Sequence, residues 1–346
     1  MMYIRTSAVA IGALTLAAMA GAGVSAQEWK PDHPINIIVP WGAGGATDQV
    51  TRVTAPILSE ALGVDVVVVN QPGASGAIGT QEVLNSAHDG YTLLATGIAD
   101  AATYSVTGLI DGATIDDWNL YLSVANVPVV SVPADSPYKT FGELLEAFKS
   151  NGASITVATA GVSSAGGTAI AGLAEAGGFD YNLVAYEGGG PATIAAASGE
   201  AMVTTQLAGE QSELIRGGRL RPLAVLSSEP LIIKGVDPVP PITEWLPEIL
   251  LSYNYFGILV PKGTPDEIVN TLNAIWTEKV ATSAELKNYA EGFGALFTPA
   301  SGAEARTLVS PTVVAQACAA VVRGAAVKDP STIGVDCATR TETISQ

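Results

Sequence analysis

Short apolar, β-branched runs alternate with helical-period segments along most of the chain. Ile35-Asn36-Ile37-Ile38-Val39 reads as a strand, broken at Pro40-Trp41-Gly42-Ala43-Gly44-Gly45, and a helical pattern follows through Leu62. Val64 to Val69 predicts a second buried strand, which ends at Asn70-Gln71-Pro72-Gly73-Ala74-Ser75-Gly76 before a helix to about Ser86. Asp89-Gly90 turns the chain into a third strand, Tyr91 to Ala95. Continuous apolar strands separated by helices indicate a parallel sheet covered on both faces.

A second block repeats the pattern. It predicts helices at Phe141 to Ser150, Ala165 to Ala176 and Pro191 to Ser198, the last with Pro suitably at its start. Strands are expected at Ile155 to Ala158, Leu183 to Ala185, Ala201 to Thr205 and Leu220 to Leu226, with a helix around Gln211 to Arg216. A Pro-rich loop runs from Pro230 to Pro247; then come a strand, Tyr253 to Val260, and helices through Val280, at Ala284 to Tyr289 and at Gly302 to Val322. Gly324 to Gln346 reads as a loose tail. The strand-like stretches Leu120 to Val132 and Leu250 to Val260 predict two crossings between blocks. The expectation is an α/β fold of two lobes joined by two hinge strands, with a ligand site in the cleft between them. The first lobe would hold residues 27–125 with 252–346, and the second 126–251.

The chain's start changes the picture. Met1 to Arg5 carries one positive charge, Ser7 to Ala20 is apolar or small, and Val24-Ser25-Ala26 suits a signal peptidase. Residues 1–26 are therefore expected to be a cleaved leader, and the apolar run of about 14 residues is too short to span a bilayer. No Cys follows the cleavage site, so no lipid tether is expected; the protein would be free in the periplasm. No later stretch is read as membrane-spanning. The formal charge is −17, one unit more negative once Arg5 leaves, which disfavours nucleic acid and anionic lipid as partners. Cys318 and Cys337 are the two cysteines. In an oxidising compartment a bridge between them is expected, the alternative being two free thiols. No Cys/His cluster suggests a metal, and no cofactor is expected.

Several motifs together resemble one family. Ile37-Ile38-Val39-Pro40, Gly44-Gly45-Ala46-Thr47-Asp48, Asn70 to Gly76 and Asp89-Gly90-Tyr91-Thr92-Leu93-Leu94 fall in its order and spacing. Tyr186 with Gly188 to Pro191, Gly218-Arg219-Leu220-Arg221, and Phe256-Gly257 with Pro261 to Pro265 continue it. From about Trp29 to about Pro299 the chain resembles the periplasmic binding proteins of tripartite tricarboxylate transporters, the Bug proteins. The resemblance implies a Venus-flytrap fold of the type II-like kind. It also implies a small di- or tricarboxylate or related organic acid as ligand, and a membrane permease with a large and a small subunit as partner. Ligand contacts implied in the first lobe fall within Trp41 to Asp48 (Trp41, Gly44, Gly45, Ala46, Thr47, Asp48) and Gln71 to Ile78 (Pro72, Ala74, Ser75, Gly76). In the second lobe they fall within Thr159 to Thr168 (Thr159, Ser163, Ser164) and Tyr186 to Gly190 (Tyr186, Glu187, Gly188), with Gln206 at a later strand end.

Physical reasoning agrees for the first-lobe loops. Both are Gly-rich and lie between a strand and a helix, so backbone N–H groups and a positive helix end face the cleft. Neither contains Lys or Arg, so an anion there would be held by amides, hydroxyls and water. Asp48, in the first turn of its helix, is expected to brace its loop more than to touch an anion. Glu187 departs from the family, which commonly has Lys or another non-acidic residue there, and Gln206 stands where Asp is common. Facing the cleft, Glu187 would repel a second carboxylate and favour a cationic or hydroxyl-bearing end; the other reading has it facing solvent. A zwitterionic or neutral ligand is thus the alternative within the same fold.

Other chemistry is weaker. The Gly42 to Thr47 run lacks the third Gly of a dinucleotide fingerprint, and Asn70 replaces its acidic residue. A secreted hydrolase is the alternative of another class, but Ser75, Ser163 and Ser164 lie in no Gly-x-Ser-x-Gly, and His33 and His88 read as turn residues. Binding without catalysis, by a monomer, is expected.

Overall fold

The chain lays down a right-handed β-α-β-α-β unit first: β1 (Ile35–Val39), α1 (Ala46–Leu62), β2 (Val66–Asn70), α2 (Ala77–Leu84) and β3 (Thr92–Gly97). The computed structural model describes Met1 and residues 29–344 other than 163, 250 and 252. The expected leader therefore lies, but for Met1, outside the described residues. Two single-turn helices, α3 (Ile98–Ala101) and α4 (Tyr104–Thr107), follow, and then the long strand β4 (Trp118–Asn126).

The chain next builds a second sheet. Its elements are β5 (Val129–Pro133), α5 (Phe141–Asn151), β6 (Thr156–Thr159), α6 (Ala165–Gly177) and β7 (Asn182–Ala185). After these come α7 (Gly189–Ala197), β8 (Val203–Thr204), α8 (Ala208–Arg216) and β9 (Leu220–Val225). It then returns through β10 (Asn254–Pro261), α9 (Asp266–Ile275), α10 (Ala284–Phe293), β11 (Leu296–Ser301) and α11 (Gly302–Val322). A small hairpin of β12 (Val335–Asp336) and β13 (Thr341–Glu342) closes the described chain.

The strand orders are β11-β4-β10-β3-β1-β2 and β7-β6-β8-β5-β9. Each sheet is parallel only in part. β2, β1 and β3 run parallel, whereas β10 pairs antiparallel with both β3 and β4. β7, β6 and β8 run parallel, and β5 is antiparallel to β8 and β9. The fully parallel sheet expected from the apolar runs is thus mixed, because the strands that cross between sheets enter against the direction of the βαβ units. β2 is an edge strand rather than a buried one: Val67 and Val69 stay exposed on its free side. Alternation along the central strands covers both faces of the first sheet. Ile37, Val39, Leu93 and Ala95 join one apolar cluster, Ile38 and Leu94 the other.

The crossings lie side by side. Only Val127 and Pro128 separate β4 from β5, and Pro128 ends the first sheet's ladder because it offers no N–H. The returning strand β10 pairs Asn254 with Asn126 at the same level. Two lobes therefore hang from a paired two-strand hinge.

α11 is long and apolar enough, by length and composition, to cross a membrane, with mean hydropathy 1.4. This corrects the reading that no later stretch qualifies. Half of it is nevertheless buried, with Ala305, Val309, Val313 and Ala317 packed in the cluster that covers the first sheet, so it serves as a core helix. The tail is also more ordered than the sequence suggested. Cys318 and Cys337 form a disulfide, and Arg306 on α11 pairs with Asp116 and with Glu342 of β13. The bridge is the one expected from the two cysteines; the Arg306 pairs, across long sequence separations, left no local signal.

Candidate functional site

The β1–α1 loop meets the second lobe by backbone contact. Gly42 N donates to Glu187 O at 3.1 Å. A Cβ on Gly190 would lie 3.3 Å from the Gly44 carbonyl carbon, and one on Gly161 would lie 2.8 Å from Ser75 Oγ. Glycine at these positions lets the lobes come this close with no side chain between them.

α1 starts without a side-chain cap. Its N-cap is Gly45, so the first amides of a 17-residue helix are open to other acceptors. One carboxylate takes the first of them, and another takes the amide just before the N-cap. Asp48 Oδ2 accepts from Gly44 N at 2.9 Å. Glu210 Oε1, from α8 in the other lobe, accepts from Ala46 N at 3.0 Å. Glu210 Oε2 accepts from Leu207 N at 3.1 Å, closing the first turn of its own helix.

These contacts surround a cavity of about 20 Å³ between the lobes. From the first lobe it is lined by Trp41, Gly45, Ala46, Thr47 and Asp100, with Asn254 and Phe256 of β10. From the second it is lined by Ala160, Ser164, Ala165, Gly189, Gln206, Leu207 and Glu210. A ligand site for a small molecule spans hundreds of cubic ångströms, so the cavity is too small for one with the lobes as they stand. A larger hollow of about 600 Å³ also lies between the lobes, with α6 and the 245–249 loop on one side and α11 with the disulfide on the other. Its lining does not include the open amides at the start of α1.

Of the residues singled out in the sequence, Trp41, Gly45, Ala46, Thr47, Ser164 and Gln206 meet at this cavity. With its amide turned to suit its neighbours, Gln206 Nε2 donates to Glu210 Oε2 at 2.9 Å and its oxygen accepts from Ala160 N at 2.6 Å. Ser164 caps α6, accepting from Gly167 N at 3.1 Å. The others lie at its margin or turn away. Asp48 also receives Arg52 Nε and Asn70 Nδ2, which ties the two first-lobe loops together. Burial pushes the Asp48 carboxyl up, but the bonds from Arg52, Gly44 and Asn70 outweigh it and hold it below its ordinary value. Thr159 Oγ1 is spent on Gly161. The Tyr186 hydroxyl donates to Glu200 at 2.8 Å, away from the cavity. Glu187 is exposed and meets the first lobe only through its carbonyl; Gly188 is buried against Gly42. Pro72 and Ala74 are exposed, and Ser75 and Gly76 hold positive φ in the β2–α2 turn. Gly76 abuts the Trp41 ring, where a Cβ would come within 3.1 Å. Ser163 lies outside the described residues.

Sequence reasoning missed five cavity residues: Asp100, Leu207, Glu210, Asn254 and Phe256. The available signal was position. Asp100 opens a helix directly after the carboxyl end of β3, and Glu210 opens one after β8, the places where open α/β sheets put ligand groups. The Asp100 carboxyl is buried and Glu210 is half-buried. Burial pushes Glu210 up to about 7, against the pull of the Ala46 and Leu207 amides. Burial, with Glu210's charge adding to it, raises Asp100 well above the usual carboxylate range. Asn254 Oδ1 accepts from Ala99 N at 2.9 Å and so fixes the turn that carries Asp100.

Comparison with known proteins bears on this geometry. The family model described as "Tripartite tricarboxylate transporter family receptor" matches residues 50–298. Protein BugT of Bordetella pertussis is 31% identical over 284 residues, covering 81% of this chain and 86% of BugT. Among solved structures, one described as a periplasmic transporter superposes with a TM-score of 0.76 at 26% identity, covering 85% of this chain and 97% of the other. The R. palustris protein Rpa4515, solved with adipate, gives a TM-score of 0.76 at 25% identity, covering 85% of this chain and 98% of its own.

Proposed function

The chain belongs to the tripartite tricarboxylate transporter receptor family, periplasmic solute-binding proteins and not enzymes, and from that premise we propose that it closes on a small organic acid and delivers it to a membrane permease of large and small subunits. In this reading residues 1–26 direct export. The lobes comprise 27–125 with 252–346, and 126–251. Trp41, Gly45, Ala46, Thr47, Ser164 and Gln206 contact the ligand.

The observation that supports this most is the Glu210 carboxylate on Ala46 N. It marks the start of α1 as a place where a carboxylate fits inside the cleft, held by an amide and the helix dipole and with no Lys or Arg lining the cavity among the described residues. A ligand carboxylate would take this amide as the lobes part and reclose. Rpa4515, with adipate bound, is consistent with an acid of this size.

Ala46→Pro tests the reading. Ala46 is the first residue of α1, where Pro is well tolerated, and Gly45 before it already has extended backbone with φ −73° and ψ 166°. The substitution therefore deletes one N–H with little effect on the helix. Binding of organic acids, found by thermal shift against a panel and quantified by calorimetry, is expected to weaken about tenfold or more, the worth of one charge-assisted hydrogen bond. Unchanged affinity in a folded variant would remove this amide from the site.

A further inference from the structure

We propose, resting on the organic-acid reading above, that the ligand carries a cationic nitrogen as well as a carboxylate, and that Asp100 and Glu210 receive that nitrogen from opposite lobes. The class is an amino acid or a related zwitterion rather than a plain diacid.

The cavity has the wrong charge for a second carboxylate. Asp100 is 4% exposed, lines the cavity, and its Oδ1 has no hydrogen-bond partner. A buried carboxyl oxygen without a donor is costly, and a charged one far more so, unless something brings a donor to it. Glu210 faces the same space, and no Lys, Arg or His lines it among the described residues. Protein groups thus leave Asp100 unsatisfied and add a like charge beside it. An ammonium supplies what is missing: positive charge, with N–H donors that can reach both carboxyls. Trp41 and Phe256 complete the wall with aromatic surface, which favours a cation over an anion. Gly189 leaves room for this arrangement, since a Cβ there would lie 1.9 Å from Glu210 Oε1. The acid predicted from sequence to set the ligand's distal end, Glu187, is exposed; Glu210 takes that part.

A different use of the same residues makes the opposite prediction. Two protonated carboxyls could donate to a second carboxylate, and such a ligand would draw protons in. A zwitterion instead drives them off, because its cation stabilises both carboxylates. Glu210, pushed up to about 7, has a proton to give up near neutrality, and Asp100 is raised in the same direction. Tyr104 faces Asp100 and Tyr289 faces Glu210; burial raises both phenols, so they stay neutral through this range.

The experiment is calorimetry on the exported, full-length mature protein with probes matched in length. Adipate is set against 6-aminohexanoate and 2-aminoadipate, and succinate against 4-aminobutanoate and aspartate. Each titration is run from pH 6 to 8, in buffers of different protonation enthalpy. The expected result is that an amino member binds at least tenfold tighter than its diacid, releases protons and tightens as pH rises, and that Asp100→Asn removes most of that preference. Diacids binding tighter, with proton uptake and affinity rising toward pH 6, would overturn the proposal and leave the organic-acid reading intact. An amino member that binds tighter with no proton release, and keeps its preference in Asp100→Asn, would also overturn it. Failure of every probe to bind would count against the organic-acid reading itself, and this proposal with it. Should Asp100→Asn not fold, the matched pairs on the unaltered protein still decide.

Discussion

Glu210 is the residue on which the most physics converges. It caps its own helix through Leu207 N and reaches across the hinge to Ala46 N, yet it is half-buried with no cation lining its cavity among the described residues. Its carboxyl titrates at about 7 when folded, against an ordinary value of 4.5. The folded chain therefore holds a proton that the unfolded chain has released between those values. Stability from this group is full below about pH 4.5 and falls as pH rises to about 7, by about 3 kcal/mol. Asp100 acts in the same sense. The melting temperature of the protein is expected to fall between pH 5 and 8, and Glu210→Gln is expected to flatten much of that slope. Equal slopes in the two proteins would mean that Glu210 is ionised throughout. None of this was legible in the sequence, where Glu210 is one of 33 acidic residues and its partner Ala46 lies 164 positions away.

At the level of elements, local signals were good guides where an element is self-sufficient. Strand β1 and helices α5 and α6 lie close to where periodicity puts them, and Thr140 and Ser164 cap the two helices. They were poor guides where a partner decides. β2 reads as buried but sits at an edge, and the tail, read as loose apart from its expected bridge, is also fastened to α11 by Arg306 with Glu342. The bridge closes a loop of 19 residues, for which chain entropy gives about 3 kcal/mol. Replacing both cysteines by Ser is expected to lower stability by about that amount in chemical denaturation. It should also expose residues 324–334 to limited proteolysis while ligand affinity changes little. A tail that remained protected would show that Arg306 and β12–β13 suffice without the bridge.

For the whole molecule, the question is how a cavity of about 20 Å³ admits a ligand, and the hinge answers it. Asn126 and Asn254 pair at the crossing, so a small change in two adjacent backbones can swing one lobe from the other. Across the cleft mouth, a Cβ at Gly161 would lie 3.8 Å from Ser75 Cβ, within the span of a disulfide. Ser75→Cys with Gly161→Cys is expected to abolish binding when oxidised and restore it on reduction, by locking the lobes together. Binding that survived oxidation would mean that the ligand enters without opening. The sequence by itself determined the α/β alternation, the two crossings, the family and the amide-rich loops at the start of α1. Each is written in short-range pattern: apolar period, Gly and Pro punctuation, and motifs in register. Only the tertiary structure decided that Asp100 and Glu210 face one cavity and that Glu187 does not. That choice depends on two lobes meeting across a hinge, and no local propensity encodes which side chains such a meeting brings within 3 Å.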